Sequence, residues 1–321
     1  MSGAEPPQQL QRAAGRALSL GSGTGSRPLR ERSGRIARRL EAVARQLTAM
    51  QPSAVEADSA VVATPEAEDR VQCAAAYRLA SRFGWDTGSI YNHITVRSGE
   101  DAASGAPHFL INPFGLDFSE VSASSLLKVD LDGTVVDTGS TDFTFNLAGF
   151  VIHSAVHASR ENLRCVIHSH HRSVVAVAST THGLLPCSLE ACKLAPLVSD
   201  RIHAFEGIAS DPEECGRIQE ELGDTASILL MSNHGAIVGG ATVGAALLNM
   251  LELVNSCNIQ LDMMQAVGGD VSQLVLPTQA VVDETRARGA VVQARTARQI
   301  GELEMESWLR ILDEEDESYR D

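Results

Sequence analysis

Three histidines in this chain are spaced as metal ligands would be. His168 and His170 stand two apart at the end of the apolar run Cys165-Val166-Ile167. In an extended strand, residues i and i+2 project to the same face, so both imidazoles can converge on one ion from a rigid support. The alternative is a pair of strand-end histidines, each satisfied by hydrogen bonds. His234, in Ser232-Asn233-His234-Gly235, follows a second buried-strand pattern, Ile228-Leu229-Leu230-Met231, and precedes the β run Ala236-Ile237-Val238. A third imidazole from a neighbouring strand end gives three nitrogens and an open position for water or substrate, the pattern of catalytic rather than closed structural zinc sites. Iron is the alternative ion, because imidazole accepts Fe as well as Zn.

Other histidines have plainer readings. His153 and His157 are four apart on a predicted helix, where packing competes with metal binding. His171 points away from the pair if the strand continues, and His93 and Arg97 either line a pocket or end a strand. Lys128 and Lys193 are the only lysines, one in a strand-like run and one in a helical run. Schiff-base chemistry is therefore disfavoured, and a metal is the only evident electrophile.

The elements that must position these groups are those of a helix-covered sheet. A helix opens at Pro65-Glu66 and closes at Gly84, and short β runs follow at Ile94 to Val96, Phe109 to Ile111 and Leu126 to Val129, with a hairpin turn at Asp130 to Thr134. Helices are expected at Leu147 to Ala158, Ser173 to Thr180, Leu189 to Leu197, Pro212 to Leu222 and Val243 to Met264. Buried strands are expected at Leu163 to Ser169 and Ser227 to Met231. The mixture implies an α/β or α+β layer architecture in one main domain at 65–275. A basic, Gly/Ser-rich extension at 1–64, with a helix over Ser33 to Met50, precedes it, and a charged helical segment with an acidic tail at 276–321 follows.

Net charge of -15 is split unevenly, since residues 1–50 hold nine Arg against three Glu. An acidic body argues against nucleic acid as a partner. No apolar run is long enough to span a membrane, and the six scattered cysteines, without a CxxC pair, read as reduced thiols of a cytoplasmic protein. The Arg-rich start leaves a mitochondrial transit peptide as the alternative.

In order along the chain stand Ile90-Tyr91-Asn92-His93-Ile94-Thr95-Val96-Arg97, Asn112-Pro113-Phe114-Gly115, Cys165-Val166-Ile167-His168-Ser169-His170, Gly183-Leu184-Leu185-Pro186 and Ser232-Asn233-His234-Gly235. With these motifs the sequence resembles the class II aldolase/adducin head domain family, adducin-like branch, from about Val71 to Val275. The resemblance implies a three-layer fold with a central, mainly antiparallel sheet covered by helices. It also implies Zn2+ (alternatively Fe2+) on His168, His170 and His234, and a homotetramer acting on a small carbonyl, hydroxy-acid or sugar-type substrate.

Aldolases of this family carry a catalytic Glu four residues before a helix His; if that His is His153, the position holds Gly149. Glu190 and Glu206 are the candidates to substitute for it. Substrate contacts implied by the resemblance fall on Asn92, Gly115 and Ser140, with no basic cluster to hold a phosphate dianion. Three functions follow: a metal-dependent lyase, a non-catalytic adducin-like assembly or binding module, or a non-haem iron oxygenase.

Overall fold

In the computed structural model, the described residues are 64–207, 212–285, 287 and 298–321. The expectations for residues 1–63, including the helix over Ser33 to Met50 and the transit peptide, lie outside them. Thr64 caps helix α1 (Pro65–Arg82) by accepting from the Ala67 amide, and Glu66 and Glu68 sit at the positive end of the helix.

Among the described residues, eight strands form one sheet: β1 (His93–Glu100), β2 (Pro107–Ile111), β3 (Leu127–Val129), β4 (Val135–Asp137), β5 (Cys165–Ser169), β6 (Val198–His203), β7 (Ile228–Met231) and β8 (Gly235–Gly240). Their spatial order is β4-β3-β2-β1-β5-β8-β7-β6. Every pairing is antiparallel except β6 with β7. Strand alternation divides the core between the two faces. Val166, Leu229, Met231 and Ile237 pack under α2 (Leu147–Ser159) and α5 (Pro212–Leu222). On the opposite face, Ile94, Cys165, Ile167, Ile228 and Val238 pack under α1, α3 (Arg172–Ala178), α4 (Leu189–Leu194), α6 (Val243–Ala266) and α7 (Glu302–Glu315). The result is the three-layer arrangement expected from the sequence.

Three features differ from the sequence expectations. β6 is an edge strand whose polar centre, Asp200-Arg201, gives no alternating pattern to read. The terminal acidic stretch is a folded part of the same unit, not a tail. α7 runs through Asp313 to Glu315, and a 3-10 turn at Glu317–Arg320 buries Tyr319 completely. Tyr319 O accepts from Ala123 N (2.9 Å), and its hydroxyl donates to Asp313 (2.6 Å). Arg78 and Arg82 on α1 hold Asp316 and Glu315, so the acidic stretch is neutralised by the helix it packs on. The helix expected from Glu284 to Leu312 is interrupted, because residues 298–301 are not helical and Gly301 starts α7. All six cysteines are free, and no helix among the described residues is long and apolar enough to cross a membrane.

Candidate metal centre

His168 lies near the end of β5, buried at the centre of the sheet, and His170 follows one residue past the strand. His234 lies in the three-residue connection between β7 and β8, beside which β5 pairs with β8. That connection dictates its own residue types. Asn233 takes φ +54°, a left-handed conformation that Asn tolerates, and its amide donates to Ser179 Oγ (2.8 Å). Gly235 has φ +152°, and a Cβ there would overlap the Ser169 carbonyl oxygen. The close approach presses the His234 turn against the end of β5.

Ligand atoms of His168, His170 and His234 all lie within 4.8 Å of one another. His168 Nδ1 is 3.1 Å from the Ala236 carbonyl. A carbonyl only accepts, so Nδ1 carries the proton and Nε2 is left bare, 2.9 Å from His170 Nε2. Fixing a ligand tautomer through a carbonyl on the far nitrogen is how metal-bound imidazoles are oriented. Burial holds all three imidazoles below their ordinary pKa, with His234 at about 4, so each is neutral and has a lone pair to offer near neutral pH. The residues fit a divalent cation.

Asn92 stands beside the triad in a supporting place. Its Oδ1 accepts from the His170 amide (2.7 Å) and its Nδ2 donates to Asp86 O (2.6 Å), tying the β1 entrance to the β5 exit. The other expected site residues have other neighbours. Glu206 pairs with Arg217 on α5 (2.5 Å). Glu190 sits on the first turn of α4, where its charge acts on Cys192 and on Glu252, the partner of Lys193. Charges acting on His168 come from His93, His234, His170 and His153, with no carboxylate among them. Ser140 follows β4 at the far edge of the sheet, in a cleft of about 440 Å³ with Arg70, Asp137 and Arg320. The arginines of that cleft are already paired, Arg70 with Asp137 and Glu66, and Arg320 with Asp313. Gly115 is exposed, and a Cβ there would stand 2.8 Å from the Phe143 ring.

His93 is the neighbour that sequence reasoning leaves undecided. It pairs across the ladder with His168, and its ring stacks on the His168 ring at 5.1 Å. A Cβ at Gly149 would come within 2.5 Å of His93 Cδ2 and Nε2. The space that a side chain at position 149 would enter is therefore filled by the His93 ring. A glycine inside helix α2, otherwise unfavourable by about 0.5–1 kcal/mol, is what lets the imidazole in.

The chain matches the family described as Class II Aldolase and Adducin N-terminal domain over residues 71–261. It is 41% identical over 248 residues to alpha-adducin of Mus musculus, a match that covers 76% of this chain and 33% of the relative, so the chain spans about a third of that protein's length. Among solved structures, it superposes on an aldolase II superfamily protein from Pseudomonas syringae with a TM-score of 0.69 at 37% identity, covering 81% of this chain and 98% of the other. An L-fuculose 1-phosphate aldolase from Glaciozyma antarctica gives a TM-score of 0.65 at 25% identity, with 82% and 97% covered.

Proposed function

Because the chain belongs to the class II aldolase and adducin N-terminal domain family, we propose that His168, His170 and His234 hold a divalent cation, zinc in the first instance, at a site open to a small carbonyl, hydroxy-acid or sugar-type substrate. The observation that carries this reading is the convergence of three neutral imidazoles, with His168 turned by Ala236 so that Nε2 faces His170. The cation would supply a Lewis acid that polarises a substrate oxygen. The protein would supply the rigid strand-end support, and Asn92 would hold the His170 backbone in place. A homotetramer in the cytoplasm is the proposed setting.

Gly149 favours a second reading. Among the described residues no carboxylate acts directly on His168, His170 or His234, so proton transfer lacks its usual partner there, a loss worth about 10²–10⁴-fold in rate. A binding or assembly module that retains the fold without turnover, in the manner of the adducin relatives, is the reading this favours over an efficient aldolase.

Elemental analysis of the full chain beside a His168→Ala/His170→Ala variant tests the metal. Near-stoichiometric zinc in the native protein, lost in the variant, is the expected result. Iron in its place would direct the search to oxygenase chemistry. Absence of bound metal from native protein, also after incubation with excess zinc, would overturn the proposal in favour of the non-catalytic module.

A further inference from the structure

Two facing stripes form a second buried set beside the triad. Strand alternation puts His93, Thr95 and Arg97 on one face of β1, and helical spacing puts Gly149, His153 and His157 along one side of α2. Hydrogen bonds connect them in series. His157 Nε2 meets Thr95 Oγ1 (2.7 Å), Thr95 Oγ1 meets His153 Nδ1 (2.6 Å), and His153 Nε2 meets His93 Nδ1 (3.1 Å). All three imidazoles are buried, and burial holds each in its neutral form.

The direction of such a chain is constrained. A threonine hydroxyl has one proton, and a neutral imidazole has one N–H. Only two arrangements satisfy all three bonds and also use the threonine proton in one of them; were Thr95 to accept from both imidazoles, its own proton, fully buried, would have no acceptor among the described residues. In the first, His157 donates from Nε2 to Thr95, Thr95 donates to His153 Nδ1, and His153 donates from Nε2 to His93 Nδ1; the proton of His93 is then on Nε2. In the second, every donor is reversed, so that His93 Nε2 is a bare lone pair and the last proton is stranded on His157 Nδ1.

The far end decides between them. His157 Nδ1 is buried with no partner among the described residues, as is Arg97 Nε, and the Arg97 charge acts on His157. A proton on His157 Nδ1 would be an unsatisfied donor in the field of a cation. Buried N–H groups without acceptors are rare, because each gives up its hydration with no bond in exchange. A bare lone pair at Nδ1 avoids that cost.

We infer that the chain runs from His157 to His93, and that His93 offers an Nε2–H donor, at the space a carboxylate-bearing side chain at position 149 would enter, to a substrate oxygen bound at the triad. This rests on the metal-site reading above. Its chemical meaning is a change of role at that position. A carboxylate there can take a proton, whereas an Nε2–H donor beside the triad favours a substrate oxygen that carries or develops negative charge. Thr95, His153 and His157 are positioning residues that set the tautomer, with Arg97 fixing the end of the chain.

The test is magic-angle-spinning 15N NMR of the full-length protein labelled at histidine, recorded without metal and with one equivalent of Zn2+, and assigned through His93→Gln. His93 is expected to show a protonated Nε2 and a bare Nδ1 in both samples. Thr95→Val, which lacks the hydroxyl, should turn that single tautomer into a mixture, and Thr95→Ser should restore it. A wild-type His93 protonated on Nδ1, or a pure Nε2–H form that survives Thr95→Val, would overturn the inference. If Thr95→Val does not fold, the wild-type spectrum decides alone. Failure of the protein to take up zinc would count against the metal reading and leave the tautomer measurement intact.

Discussion

Restoring the missing carboxylate by Gly149→Glu is expected to damage the protein before it can help the site. The first atom of any side chain at 149 falls 2.5 Å from the His93 ring, and that ring cannot step aside freely. It is hydrogen-bonded to His153 through Nδ1 and stacked on His168. Overpacking a filled interior costs about 1–3 kcal/mol, and a carboxylate without a partner in the same space adds to that, so a loss of roughly 3 kcal/mol or more is expected. For a domain of this size that lowers Tm by about 6–12 °C. Gly149→Ala makes the cleaner comparison. An alanine inside a helix normally gains about 0.5–1 kcal/mol over glycine, and here the sign should invert. The double variant Gly149→Glu/His93→Ala should recover at least half the loss, because it removes the ring that the new side chain strikes. Thermal unfolding of the native chain, Gly149→Glu, His93→Ala and the double variant gives the coupling directly. A Gly149→Glu single variant as stable as the native chain would remove the steric account of this glycine. If the double variant also binds zinc more tightly than His93→Ala alone, the carboxylate has reached the triad.

That pairing explains why the triad was legible in the sequence and its neighbours were not. His168 and His170 announce themselves by a period of two inside an apolar run, and Asn233-His234-Gly235 by the turn chemistry that a left-handed residue and a close backbone approach demand. Both signals are local. His153 and His157 are visible as a helical pair, and His93 and Arg97 as alternating strand residues, yet nothing in the sequence says that α2 lies across β1. Contact between those stripes is a tertiary fact, set by which face of the sheet α2 covers. Glu190 and Glu206 are offered by the sequence only as acids that could substitute for the carboxylate absent at Gly149, and Ser140 only through the family resemblance. The structure turns Glu206 to Arg217, leaves Glu190 on α4, and sends Ser140 to the opposite edge. Most helices and central strands follow their periodicity closely, whereas β6 and the terminal turn are stabilised by partners far away in sequence, as Tyr319 is by Ala123.

Acid should destabilise this fold earlier than a carboxylate-based account would place it. His153 and His157 are fully buried and neutral; desolvation is the larger cause for each, and the charge of His157 on His153 and of Arg97 on His157 adds to it. The His157 value is lowered from 6.5 to about 3, and His153 lies well below its ordinary value too. In the unfolded chain both take up a proton as pH falls through about 6.5, while in the folded protein they do not. The unfolded state then binds more protons, so stability is complete above that pH and declines below it. Each such histidine removes about 1.4 kcal/mol per pH unit below 6.5 until its folded pKa is reached. At pH 5 the two together cost about 4 kcal/mol, a large part of the 5–15 kcal/mol that typically holds a domain folded. Denaturant unfolding of metal-free protein at pH 7 and pH 5 measures the difference. His157→Gln, which retains a side-chain amide near Thr95 but cannot charge, should shrink the gap between the two pH values by about 2 kcal/mol even if its stability at pH 7 is lower. Comparing the gap within each protein separates proton linkage from packing loss. An unchanged gap in His157→Gln would mean that this imidazole is protonated inside the fold, and the one-way hydrogen-bond chain through Thr95 would fail with it.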